Sequence, residues 1–395
     1  MKTDYDKNIR INYLFLLVKN LNVTQGVWVL YLVSKGLSLF EIGLLEGIFH
    51  VTSFLMETPT GAVADIFGRK ASRLVGIVLN IAASALLIIT GGFWAYALSF
   101  VVLALSYNFE SGANEAFVYD SLMLSGRQDD YMKIAGHNEV IFQGTHIISL
   151  IVGGLIGGIQ FVYAFYLAIA LGVVSLVIGL KFKEPVICQQ TKMSLIPAMK
   201  QQYISCFSAV RENRRFLYLA IFASALSFGV TLSFYYLQAA WQQNQLTPLT
   251  IGLYLAVGAA TSAVGAVFAH RIEKRFGETL IIKTAPFIIS AGICGLFFLD
   301  LAIIPFSIMC FFEAVVFVAT RDYINKIIPS EKRATLLSFE SMIFSMLMIA
   351  IFPLFGLVSD SIGVGNTFLF LGTLILIMGL VNLKKALSDK QKQKD

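Results

Sequence analysis

The chain has 395 residues and a formal net charge of +6, with 57% hydrophobic, 13% aromatic and only 14% charged residues and a mean hydropathy of +0.76. A soluble fold of this size could not hide so much apolar surface, and the shortage of charge is the reverse of a disordered chain. Four scattered cysteines exclude a disulfide scaffold or a cysteine-rich metal module, which leaves an all-α polytopic membrane protein.

A bilayer core about 30 Å thick takes about 20 helical residues to cross. Twelve apolar windows of that order can be placed, at about 11–33, 39–60, 72–91, 94–118, 134–158, 161–182, 216–238, 249–270, 280–299, 303–324, 334–358 and 365–384. The first follows the polar start MKTDYDKNIR, is too long and too interrupted by Lys19, Asn20 and Asn22 for a signal peptide, and has no small-residue cleavage site after it, so it is expected to stay attached. Of the 30 Lys and Arg, all but Lys19, within a span, and Lys35, on the far side, fall on one side. Basic loops remain cytoplasmic, so both termini are predicted inside a multi-pass cell-membrane protein, and the surplus charge needs no nucleic acid.

The segment 183–215, with Pro185, Gln189, Gln190, Pro197, Gln201 and Gln202, is the one long polar interval. It predicts a cytoplasmic linker between a six-span bundle at 1–182 and another at 216–384, with a basic tail at 385–395. The halves resemble each other. GVWVLYL from Gly26 parallels GVTLSFYYL from Gly229, and Glu139 with its VIF parallels Glu340 with its SMIF. Gly43 and Gly68 are 25 residues apart, as are Gly252 and Gly277. Repeats of this kind put a central site near the midplane, between two bundles that rock against each other.

Ionisable residues inside spans are costly and are read one by one. In the second span Glu46, His50, Ser53 and Glu57 share a stripe, where His50 could relay protons or Glu57 could simply be solvated. In the fourth, Asn108, Gly112, Glu115 and Tyr119 share one face and Glu110, Asn114 and Phe117 another. Glu110 lies about 12 Å from the inner surface, near the depth of Lys19. A pair of Lys19 with Glu110 or Glu115 would make either carboxylate tolerable, as a structural tie or as a coupling switch. The fifth span carries Glu139, Gln143 and His146 on one stripe, and the eleventh offers Glu340 as the counterpart. Glu313 stands alone in the tenth, which makes it the first proton-site candidate, ahead of Glu110 and Glu139; hydrogen bonding to a neighbouring helix is the competing reading.

Between the second and third spans runs Gly61-AVA-Asp65-IF-Gly68-Arg69-Lys70-ASR-Leu74. This loop resembles the signature of the major facilitator superfamily, and the six-plus-six layout extends the resemblance over the chain. One departure is Ile66, where the family often has Arg; the second-half equivalent, Lys274-Arg275-Phe276-Gly277, has lost the Asp. The resemblance implies a conformational latch of Asp65 and Arg69, with Asp120 as the expected partner of Arg69, Gly61 allowing close helix approach and Gly68 a tight turn. Arg69 and Lys70 as plain topology charges remain the alternative. Gly144, Gly153 and Gly157 match the spacing of a glycine-rich stretch of the proton-driven exporters, although Gly158 stands where their proline would be. Tight helix packing accounts for them equally.

The resemblance also places the first, fourth, seventh and tenth spans around a cavity, so Lys19, Asn22, Gln25, Glu110, Glu115, Tyr235, Tyr236, Gln238 and Glu313 become lining candidates, the aromatics serving equally well as packing. Proton coupling would draw on Glu313, Glu110, Glu139, Glu115, Glu340, His50 and Glu46. The reading is a monomeric, proton-coupled exporter of small amphipathic or cationic compounds, drugs among them, working by alternating access. Symport or facilitated uptake of a polar nutrient is the alternative, and a membrane-embedded enzyme or a receptor is the rival class. HExxH, CxxC, GxSxG and Walker motifs are missing from the sequence, so no catalytic residue, metal or cofactor is expected.

Overall fold

The computed structural model describes residues 2–89, 91–185, 213–327 and 333–392, and among them every regular element is a helix. The α-helices are α1 (Lys2–Lys19), α2 (Trp28–Ser34), α3 (Leu39–Phe67), α4 (Arg69–Ile89), α5 (Phe93–Ser125), α6 (Tyr131–Gly157), α7 (Phe161–Leu180), α8 (Arg214–Gln243), α9 (Pro248–Gly295), α10 (Ile303–Ile327), α11 (Arg333–Ile362) and α12 (Val364–Lys392). Most of the expected linker, 186–212, and the last residues of the expected tail, 393–395, lie outside the described residues.

Among the described residues nine helices are long and apolar enough to cross a membrane. They match the expected spans with three departures. The first span is broken into α1 and α2 by turns over 20–27, where Thr24 Oγ1 bonds Asn22 Oδ1 at 2.8 Å and short polar side chains compete with helical backbone bonding. Expected spans 249–270 and 280–299 form the single 48-residue α9, which if straight would run about 72 Å, more than twice a bilayer core. Its backbone leaves helical geometry at Gly277 (φ 74°, ψ 162°), the residue aligned with Gly68 in the first half. The third departure is α5, which carries Glu110, Glu115 and Asp120 and is not among the nine.

Helix ends follow their sequences. Thr247 caps α9 by accepting from Thr250 N at 3.2 Å with Pro248 in the first turn, Asn213 caps α8 by accepting from Phe216 N at 3.0 Å, and α5 ends on a left-handed Gly126 (φ 72°).

Two compact units form, one of Met1–Leu37 with Leu44–Ile204, the other of Ser38–Gly43 with Ser205–Asp395. Small and hydroxylated residues carry the helix contacts in both, because inside a membrane close approach and hydrogen bonding replace the hydrophobic drive. In the first unit Ser106 Oγ donates to Gly76 O at 2.7 Å and Ser99 Oγ to Ala83 O at 2.8 Å, joining α4 to α5. In the second, Ser290 Oγ donates to Gly372 O at 2.7 Å, joining α9 to α12, and buried Trp241 donates from Nε1 to Leu299 O at 3.2 Å. Such interhelical bonds contribute about 0.6 kcal/mol each on average.

Candidate functional site

The core of the first unit is aromatic where α1, α5 and α7 meet: Phe15, Phe117, Ile178 and Phe182 pack with Leu16 and Ile77. A guanidinium sits inside this cluster. Arg73, fully buried on α4, has its charge centre 4.4 Å from the Phe15 ring, 4.9 Å from Phe182 and 5.0 Å from Phe117. Desolvated cation-π contacts reach about 2 kcal/mol, and three together offset part of the cost of burying the charge. Among the described residues its one carboxylate partner is Glu110 on α5, Oε1 lying 3.8 Å from Nη2. Glu110 Oε2 is ion-paired to Lys19 Nζ at the end of α1, just before the chain unwinds. Of the two carboxylates considered for Lys19, the chain uses Glu110; Glu115 is exposed on the other face of α5.

The stripe on α3 is divided. Glu46 and His50 approach at 3.7 Å, both largely buried, whereas Ser53 turns to α5, donating to Asn108 Oδ1 at 2.7 Å and accepting from Asn108 Nδ2 through its carbonyl at 2.7 Å. Glu139 is exposed and accepts from Gln143 at 2.8 Å; His146 stacks on Phe142. Asn22 and Gln25 lie in the unwound stretch after α1, not on a helical face. That stretch is seated by glycines of α6: a Cβ on Gly153 would collide with the Val23 carbonyl, and one on Gly157 would meet Val27 Cγ1 at 3.0 Å. Gly144 faces open space, so of the glycine-rich stretch only its outer part packs.

The loop after α3 is held by residues that sequence reasoning did not single out. Gly68 has φ +101°, and a Cβ there would stand 2.6–2.9 Å from the Glu184 carboxylate. That carboxylate accepts from Arg69 N at 2.7 Å and Lys70 N at 2.8 Å, capping α4 with an anion where the helix dipole favours one. Lys70 Nζ donates to Leu180 O at 2.9 Å and Phe182 O at 2.7 Å, and Asn8 grips the backbone of Lys183 through Nδ2 to O at 2.8 Å and N to Oδ1 at 2.9 Å. Arg69 lies 2.6 Å from Asp65 and 3.8 Å from Asp120. Burial pushes the Asp120 carboxyl up, against a smaller lowering by Arg69. Gly61 departs from expectation: it is exposed, and among the described residues no heavy atom lies within 4 Å of a Cβ built there, because its face of α3 points away from its neighbours.

In the second unit Glu313 on α10 takes a hydrogen bond from Ser227 Oγ on α8 at 2.5 Å, and among the described residues it makes no ion pair. Glu340 is buried with Arg321 Nε 4.0 Å away. Tyr235 is half-buried and packs edge-on to Phe352. Two lining candidates turn out to be sealed. Tyr236 is 1% exposed and donates to Phe352 O at 2.8 Å, and Gln238, at 0%, donates back to Phe234 O at 3.2 Å, because their side of α8 faces the packed interior of the unit.

Arg73 escaped the sequence reading because it sits in a basic run that reads as inner-surface charge; the signal available was its spacing to Gly76 and Ile77, which puts it on the packed face. Glu184 had no local signal, its partners lying 114 and 115 residues earlier.

A nearly all-helical, multi-pass chain in two units, with ionisable groups held inside each, is built as a membrane transporter. The family model described as Major Facilitator Superfamily matches residues 14–312 and 217–394, and the chain belongs to that superfamily. It is similar to an uncharacterized MFS-type transporter, YxaM, of Bacillus subtilis (strain 168), with 23% identity over 368 residues and 90% of each chain covered. Among solved structures its fold is that of the nucleoside transporter NupG (TM-score 0.75, 14% identity, 94% of this chain and 98% of that one). It is also that of a POT family transporter in complex with a thioalcohol-conjugated peptide (TM-score 0.76, 12% identity, 97% and 96%).

Proposed function

We propose that this transporter works by alternating access as a monomer in the cell membrane, both termini cytoplasmic, and exchanges protons for small amphipathic or cationic compounds that it exports. The observation that carries the reading is the contrast between two membrane carboxylates. Glu110 is neutralised by Lys19 and Arg73, whereas Glu313 is half-buried with only a serine hydroxyl as partner among the described residues. A carboxylate without a counter-cation inside a membrane protein is held in one of two ways, by a proton or by a cationic solute, and competition between them is an exchange mechanism. Glu110 and Glu139 follow Glu313 as proton sites. Asp65, Arg69 and Asp120 act as an inner latch that breaks and re-forms once per cycle, carried by the rigid anchoring of α4 to Glu184.

A second reading, uptake of a small polar nutrient, is supported by the unwound polar stretch Asn20–Gln25, since broken membrane helices offer backbone groups to polar cargo. Nucleosides and peptides are the cargoes named for two structural neighbours.

Vesicles reconstituted with the full chain under an imposed pH gradient decide between them. Gradient-driven movement of tetraphenylphosphonium out of the compartment that represents the cytoplasm, lost in Glu313→Gln, supports exchange. Movement of nucleosides or peptides in the opposite direction, with tetraphenylphosphonium ignored, refutes it in favour of uptake.

A further inference from the structure

The ion-pair network inside the first unit is out of balance, because Lys19 and Arg73 share the single carboxylate of Glu110. Glu110 engages Lys19 through Oε2, while Oε1 has no hydrogen-bond partner among the described residues and faces Arg73 Nη2 at 3.8 Å. Arg73 is fully buried and none of its three nitrogens has a hydrogen-bond partner among the described residues. The phenyl rings around it attract the cation but accept none of its five N–H groups, so a buried donor set is left waiting for an acceptor. A carboxylate shift of about 1 Å would turn the 3.8 Å approach into a charge-assisted hydrogen bond. Lys19, by contrast, has a side chain 36% exposed and sits where α1 gives way to the unwound stretch.

We propose that Lys19 is the docking point for a carboxylate on the cargo, and that Arg73 takes Glu110 over when that group arrives. An incoming anion meets Lys19 already neutralised and is repelled by Glu110, unless Glu110 has a second cation to move to. Arg73 is that cation, held ready by its aromatic cage and unavailable to the cargo itself. The exchange leaves two one-to-one pairs where there had been one carboxylate for two cations, and it removes an uncompensated buried charge only when an anion is bound. The inference rests on the reading of the chain as a transporter of amphipathic compounds and makes an acidic group a feature that tightens binding at Lys19, not one that every cargo must carry.

The test uses the purified full-length protein and three probes with one aromatic body: tryptamine, tryptophan and indole-3-propionate. The expected result is that the two carboxylate-bearing probes bind about tenfold more tightly than tryptamine, and that Lys19→Met abolishes this preference. Arg73→Met is expected to weaken only the carboxylate probes, about tenfold, with Arg73→Lys restoring most of the loss; a purely structural role would weaken all three probes together. Should Arg73→Met not remain monodisperse, Lys19→Met, at a partly exposed position, decides the matter. Equal binding of the three probes, a preference that survives Lys19→Met, or no saturable binding of either carboxylate overturns the proposal. Binding needs no gradient, so carboxylate preference without response to a pH gradient would sink proton coupling and leave the docking point standing. Gradient-driven transport with no such preference would do the reverse.

Discussion

Replacing Gly68 by Ala tests how the loop after α3 is built. Two costs add there. An alanine at φ +101° is strained by about 1–3 kcal/mol. Its Cβ would also stand 2.6–2.9 Å from the Glu184 carboxylate, which must withdraw and lose its two charge-assisted bonds to Arg69 N and Lys70 N. Net bonds to charged groups contribute about 1.5–3 kcal/mol each when buried. Glu184 is only half-buried and regains water on leaving, so about 2 kcal/mol for the pair is a fair figure. Gly68→Ala should therefore cost about 3–5 kcal/mol in all. In a Glu184→Ala background the second cost has already been taken, and Gly68→Ala should cost only the backbone strain, about 1–3 kcal/mol. Unfolding in mixed detergent micelles, followed by far-ultraviolet circular dichroism, gives the four corners of this cycle. A Gly68→Ala cost that is the same in both backgrounds to within about 0.5 kcal/mol would show that the glycine serves the turn only and that the Glu184 seat is incidental.

Glu110→Gln leaves Lys19 and Arg73 without an anion and should destabilise by about 3–5 kcal/mol, whereas Lys19→Met leaves Glu110 to Arg73 and should cost under about 1 kcal/mol; melting curves that reverse this order would contradict the network. Gly153→Ala should lower stability by about 1–3 kcal/mol through collision with the Val23 carbonyl, and Gly144→Ala, facing open space, should stay within about 0.5 kcal/mol, both read from thermal denaturation. Asp120 has a folded-state carboxyl pushed above its ordinary value, so its contribution to stability is complete below that ordinary value and is lost as pH rises through the raised one. Asp120→Asn should accordingly gain stability relative to the wild type as pH rises through the mildly acidic range, without being less stable at neutral pH; a variant that instead loses stability relative to the wild type as pH rises would mean that Arg69, not burial, dominates there.

What the sequence made legible is what depends on composition and period: the helical membrane class, the position of most spans, the Arg69 loop and the depth at which Lys19 could meet Glu110. The helix of 48 residues through Gly277 and the break after Lys19 were not legible as helix limits, because hydropathy over a long window reads neither backbone conformation nor the competition of Asn and Thr side chains for helical bonds. Arg73 and Glu184 were missed for a different reason. Both owe their roles to partners brought together by folding, the phenyl rings of α1, α5 and the stretch just after α7 in one case and a helix end more than a hundred residues away in the other. Tyr236 and Gln238 show the converse error, since polar residues on a helix expected to line a cavity were turned into the packed interior by a phase that one sequence does not fix.

The most direct measurement of the central claim counts protons released when tetraphenylphosphonium is added to the purified protein in weakly buffered solution containing a pH indicator. The wild-type chain should release about one proton per bound cation, and Glu313→Gln should bind it without releasing any. Equal release from both, or binding of tetraphenylphosphonium with no release by the wild type, would contradict an exchange centred on Glu313.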